Sequence, residues 1–326
     1  MGEWRYVGRK LLQAAGTLFF VLVVNFFLFR IMPSDPVRLL TRQRGVQLSP
    51  EAQAALTADL GLDRPLPAQF LQYLLDTVRL DFGNSFIFPG RSVVSVFLNS
   101  LWPTVLLVGT ATVLMIAIGL YLGIRGGWKR GRPLDVGSMG FSLVFYSMPD
   151  FWLAMILLII FSTGLGWFPS GGFESPSSDL SGFSRMLDIA NHMFLPVLTL
   201  TLGYIGEYYL VMRSSLLDVL GEDYITTIRA KGVREDRVLW RHAVRNALLP
   251  TISLIALSFG FVLAGAITVE LVFSYPGLGL LAIQAIDSQD FLLLQALFLF
   301  ASVAVLVSNL VADLVYSWVD PRVREA

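Results

Sequence analysis

Six long apolar runs constrain this chain before anything else does. A bilayer core takes about 20 apolar residues per helix, and the stretches 11–31, 104–124, 137–165, 195–212, 251–273 and 291–318 all approach or exceed that length. Only 15% of the 326 residues are charged, where a soluble chain carries roughly a quarter, and mean hydropathy is +0.67. The chain therefore reads as an all-α membrane protein with six transmembrane helices. The third run is interrupted at "SMPDFW", where Pro149 removes a helix hydrogen bond and Asp150 brings a charge to mid-segment depth. Such a break is tolerated only where protein or a wet cavity surrounds it.

Lys and Arg placement orients the spans. Three lie before the first run (Arg5, Arg9, Lys10), four follow the second (Arg125, Lys129, Arg130, Arg132), seven lie between Arg213 and Arg245, and two lie in the tail (Arg322, Arg324). The short loops opposite hold only Arg185. Both termini are expected on the cytoplasmic side. The first run exceeds the apolar core of a signal peptide, and "FRIMPSDP" follows it in place of a small-residue cleavage site, so it reads as an uncleaved span. The expected organisation is 1–32 as cytoplasmic N-terminus and first helix, 33–100 as an external segment, and 101–326 as a five-helix core. Segment 33–100 has turn signals at "MPSDP", "DRPLP" and "DFGNS" and an amphipathic stretch, "AQFLQYLLDTV". Segment 166–193 is rich in Gly, Ser and Pro and reads as a mobile outer loop. There is no internal repeat.

The one long polar stretch inside the core is "DYITTIRAKGVREDRVLWRHAVRNALLP", residues 223–250, with six Lys and Arg in 28 positions. Gly221 can release the preceding helix, Asp223 is placed to cap a new one, and Gly232 is placed as its left-handed C-terminal cap, with Lys231 in the last turn. A second helix is expected to about Leu249, ending before Pro250. On it Arg237, Arg241 and Arg245 recur on one face and Leu239, Ala243 and Ala247 on another. A basic loop resting on anionic lipid would explain the charge. The compact helix–glycine–helix shape exceeds what orientation requires and fits a docking surface for a cytoplasmic protein.

That stretch closely resembles the coupling loop of bacterial ABC-transporter permeases of the dipeptide/oligopeptide/nickel family. "GLDRPLPAQFLQYL", "RLDFGNSF", "HMFLPVLTL", "RSSLLDVL", "VELVFSYPGLGLL" and "NLVADLVYSWVDPRVR" are similar to other signatures of that family, so the resemblance covers nearly the whole chain. It implies a type I permease subunit in the bacterial inner membrane. The implied partners are a second permease, two ABC ATPase subunits that bind ATP and Mg, an external substrate-binding lipoprotein, membrane lipid and a peptide cargo. No nucleic acid is implied. Nickel complexes and glutathione stay open as cargo. Asp223, Tyr224, Arg229, Ala230, Lys231 and Gly232 match the family's loop, which implies that they sit in a groove of an ATPase subunit. Thr226, Ile228, Gln289 and "LWPT" depart from the family pattern. Ile228 bears on how deeply the elbow enters its partner, and Gln289 bears on specificity at an outer loop.

The chain has no G-x-x-x-x-G-K-[ST] phosphate loop, so ATP energy would have to arrive from another subunit. No cofactor, catalytic constellation or metal site is expected: there is no cysteine, and His192 and His242 stand alone. Intramembrane carboxylates are costly and often functional. Glu207 reads either as part of a translocation path or as a carboxylate paired with a neighbouring helix or reaching to the inner interface. Asp150 reads as a path residue or as the cap of a broken half-helix. Glu270 reads as a fixed element of an external gate. Asp313 and Asp320 are expected to anchor the inner end of the last span, Arg30 to reach the outer interface, and His242 to be packed or solvated. A secondary transporter would need coupling residues in several spans and paired broken helices in two repeats; the sequence offers one break and no repeat. A membrane enzyme would need His, Asp or Glu gathered at one depth.

Overall fold

A computed structural model describes residues 3–31, 51, 64–176, 180–264 and 266–319. Among them the chain is helical, with no strand beyond one bridge between Asn84 and Ser92. The apolar runs become α1 (Glu3–Ile31), α2 (Leu66–Arg79), α3 (Val93–Trp128), α4 (Pro133–Tyr146), α5 (Asp150–Leu157), α6 (Gly182–Leu220), α7 (Asp223–Ala230), α8 (Glu235–Arg237), α9 (Val244–Ala264), α10 (Ile267–Val272), α11 (Leu278–Asp287) and α12 (Phe291–Val319). Wide π-helical turns extend α5 over Leu158–Gly164 and join α8 to α9 over Val238–Ala243. The turn signal "MPSDP", Asp320 and the tail arginines lie outside the described residues, as does the side chain of Arg30.

Four helices (α1, α3, α6, α12) are long and apolar enough to cross a membrane, and α4 with α5 makes a fifth span bent by 102° at the break. The bend falls where "SMPDFW" places it, with Pro149 ahead of the first residue of α5. The 39-residue α6 would be about 58 Å long, nearly twice the hydrocarbon thickness, so both ends must stand clear of it. Its central turns lie along α3, where Gly123 admits the other backbone: a Cβ there would come 2.8 Å from the Tyr209 carbonyl. Small residues permit such close helix approach in membranes.

One expectation fails. The elbow's second helix does not stop before Pro250. Helical backbone runs without interruption over 235–264, and Pro250 lies inside α9. Proline removes one hydrogen bond, and membrane helices tolerate that loss when neighbours supply the rest of the packing. The fifth apolar run is instead broken farther on, between α9 and α10. Described residues on either side of 177–179 make specific contacts. Phe168 stacks on Phe194 at 4.3 Å, the Gly172 N–H donates to the Phe273 carbonyl at 3.0 Å, Ser175 Oγ donates to Asp188 at 2.8 Å, and Arg185 pairs with Glu174 at 2.6 Å. Gly171 permits the close approach to the α10–α11 turn, since a Cβ there would overlap the Phe273 carbonyl.

Candidate functional site

The 223–250 elbow is built on a plug of apolar side chains. Ile225 of α7 is fully buried among Val238, Leu239, Ala243, Val244 and Ala247 of the rod 235–264, Met212 and Leu216 of α6, and Ile124 of α3. The elbow thus rests on α6 and α3 while its second half continues into the rod. The two faces expected of its second half are present: Leu239, Ala243 and Ala247 are buried, and Arg237, Arg241 and Arg245 are exposed. Ile228 is half-buried against the same cluster, so this departure from the family pattern faces its own chain.

Gly232 turns the corner with φ +75°, its N–H donating to the Arg229 carbonyl at 2.9 Å after Lys231 has donated to Thr227. A left-handed residue at this position is the usual way to end a helix and redirect the chain. A Cβ there would meet no atom within 4 Å, so the constraint is in the backbone alone. The start differs from expectation. Glu222 occupies the capping position without a side-chain cap, and Asp223 is the first residue of α7. Asp223 still places a negative charge at the positive end of the helix dipole.

The six elbow residues divide into two sets. Tyr224 accepts from Asn246 Nδ2 at 2.7 Å and donates to the His242 carbonyl at 3.4 Å, tying α7 to the rod. Arg229 pairs with Glu235 at 3.2 Å and lies over the Trp128 ring at the end of α3, 5.6 Å from its centroid. These two brace the elbow internally. Asp223, Ala230, Lys231 and Gly232 are exposed and offer a short face with both charge signs. Trp128, Glu235 and Asn246 were not singled out in sequence, because no spacing rule links them to α7.

A second missed feature lies close to the elbow. Asp135, buried at the start of α4, receives Arg213 Nε at 2.6 Å and Nη2 at 2.8 Å, Tyr209 Oη at 2.9 Å and the Gly131 N–H at 2.9 Å. Arg213 counts toward inside charge in sequence, yet here it is the counter-ion of a buried carboxylate. The available signal was an Asp at the head of one apolar run and an Arg at the end of another, at matching depth.

The three intramembrane carboxylates are not gathered into one site. Asp150 accepts from Tyr204 Oη at 2.8 Å and makes no capping bond to α5. Glu207, one turn along α6 from Tyr204, is half-buried and has no hydrogen-bond partner among the described residues. Glu270 is elsewhere and fully committed. Its carboxylate accepts from Thr104 Oγ1 at 2.8 Å and from the Gly279 and Leu280 N–H groups at 2.6 and 3.1 Å, closing the N-terminus of α11 onto α3. Gly277 is required beside it, since a Cβ would fall on that carboxylate. Asp290, also buried, accepts from Ser85 Oγ at 2.6 Å, from the Phe86 and Ile87 N–H groups and from Leu293 N–H, joining segment 85–87 to the head of α12. Gln289 before it adopts φ +55°. Asp313 pairs with Lys10 of α1 at 2.7 Å.

The elbow is thus a polar knob seated on apolar helices of a membrane protein. The chain belongs to the family of binding-protein-dependent transport system inner membrane components, whose model matches residues 115–325; the corresponding N-terminal model matches residues 3–92. It is thus a multi-pass protein of the bacterial inner membrane. Its relatives include the oligopeptide transport system permease protein AppB of Bacillus subtilis, 33% identical over 98% of this chain and 99% of that one. The dipeptide transport system permease protein DppB of Escherichia coli is 35% identical, with 98% of each chain covered, and the glutathione transport system permease protein GsiC of Salmonella typhimurium is 36% identical at the same coverage. Among solved structures, the MetNI methionine ABC transporter in inward-facing form matches with TM-score 0.55 at 15% identity, over 70% of this chain and 97% of that one. That likeness establishes the type I ABC permease fold.

Proposed function

We propose that this chain is one permease of an ATP-driven importer that takes peptides from an external binding protein and moves them to the cytoplasm by alternating access. It crosses the membrane six times with both termini inside, as the Lys and Arg distribution supports, and pairs with a second permease and two ATPase subunits. The elbow is the coupling site. ATP and Mg bind to the ATPases, and this chain supplies the face of Asp223, Ala230, Lys231 and Gly232 that enters their groove. The observation carrying this reading is that the elbow is continuous with the rod 235–264 and seated on α3 and α6. A push on Lys231 is thereby delivered to three spans as one rigid body, which is what a two-state switch requires.

Asp150 and Glu207 lie along the path, and Glu270 holds the outer closure in place. The peptide assignment follows the relatives named for dipeptide, oligopeptide and glutathione transport; glutathione, itself a small peptide, is the second cargo to test. The test is affinity purification of the tagged chain from its own cell in mild detergent, with mass spectrometry, ATPase assay and uptake of labelled di-, oligo- and glutathione peptides. Co-purification with ATPases, lost on Lys231→Glu, supports the assignment. A chain recovered alone, with uptake driven by an ion gradient, refutes it.

A further inference from the structure

We infer that α2, in the segment expected outside the membrane, is an interfacial helix whose apolar face rests in the outer leaflet of the lipid bilayer. Three side chains at helical spacing, Leu71, Leu75 and Val78, are 60%, 45% and 84% exposed, an unusual arrangement for a water-facing helix. The depth of α2 identifies what covers them. Its Phe70 and Tyr73 rings pack on Phe26 of α1 at 5.2 and 5.7 Å, and Tyr73 Oη accepts from Asn25. Phe26 is three residues inside the end of the apolar span Val7–Phe29, or about 4.5 Å along the axis. Helix α2 is therefore held at the level of the headgroup–acyl boundary. Phe27 and Leu28, on the same turn of α1, are exposed too, so the uncovered apolar surface continues from one helix to the other.

The helical wheel agrees. At 3.6 residues per turn, the exposed trio and the α1-facing rings stand roughly 140° apart. The direction midway between them is about opposite the polar stripe of Gln72, Asp76 and Arg79. Within that stripe Gln72 donates to Asp76 at 2.8 Å. A helix lying flat would turn this stripe to water, lean on α1 with one flank and bury Leu71, Leu75 and Val78 with the other, as membrane-surface helices do. A binding protein approaching from water would meet the stripe, not the leucines.

The absence of native cysteine permits a direct test. Single Leu71→Cys, Leu75→Cys, Val78→Cys and Gln72→Cys variants, with Phe20→Cys as a lipid-exposed control, are labelled with bimane and reconstituted in nanodiscs as the complete transporter complex. Shallow and deep doxyl lipids and aqueous iodide serve as quenchers. The expected result is shallow-lipid quenching at positions 71, 75 and 78 at least about threefold above that at 72, with iodide showing the reverse order. Quenching at the trio no greater than at Gln72 overturns the inference. So does lipid quenching present in the isolated chain but lost in the complex, which would assign the face to a partner subunit.

Discussion

Gly232 is the residue at which the coupling account is most exposed to test. Nothing crowds it, so any substitution acts through the positive φ alone. A β-branched residue there costs about 2 kcal/mol in local conformation, enough to redirect the chain without unfolding the spans. Gly232→Val is expected to leave membrane insertion and quantity unchanged and to abolish substrate-stimulated ATP hydrolysis in the reconstituted complex. Gly232→Asn, which tolerates the left-handed region, should keep most of it. Equal stimulation in all three proteins would show that the corner geometry does not matter. Asp135 offers a separate residue-scale prediction. Asp135→Asn strands the Arg213 guanidinium and should lower stability by about 3 kcal/mol, read as a fall in melting temperature in nanodiscs. The apolar pair Asp135→Leu with Arg213→Met should recover most of that loss. A double variant no better than the single one would mean the pair is not the source of the loss. The two sites also differ in legibility. A glycine ending a helical pattern is visible in one dimension, whereas a carboxylate and a guanidinium 78 positions apart meet only once α4 has folded against α6.

The continuous rod 235–264 makes the elbow and the membrane part of α9 a single element. A flexible joint inside it should separate docking from coupling. With Ala243 and Val244 both replaced by glycine, the ATPases should still co-purify, while substrate stimulation of ATP hydrolysis falls several-fold. Stimulation at the wild-type level would place the mechanical path elsewhere, through α6 or α3. The helices themselves were largely readable in sequence, because long apolar runs and the "SMPDFW" break act locally. Their ends were less so. Proline at 250 reads as a stop by local chemistry, and only packing against neighbouring helices lets α9 continue through it. Gly and Ser in 166–193 signal flexibility in isolation, whereas the Phe168–Phe194 stack and the Ser175–Asp188 bonds that tie described parts of the segment to α6 join residues too far apart for a local rule to pair.

At the scale of the whole molecule, the proposed mechanism makes two carboxylate clasps and the elbow the opposite ends of one lever. Glu270 and Asp290 lock α11, α12 and segment 85–87 together, while the elbow gathers α3, α6 and the rod through Ile225. Under the proposed alternating access, the first would be a rigid outer assembly and the second a rigid inner knob, with the spans between them sliding from one arrangement to the other. The central claim is that an ATPase grips the exposed face of the elbow. It is tested most directly with a benzophenone carried on a single cysteine at Lys231→Cys, photolysed in the purified, ATP-hydrolysing complex, with Gln72→Cys as a control. The account predicts a covalent adduct between position 231 and an ATPase subunit, absent from position 72. An intact, active complex in which position 231 captures only lipid or solvent would contradict it.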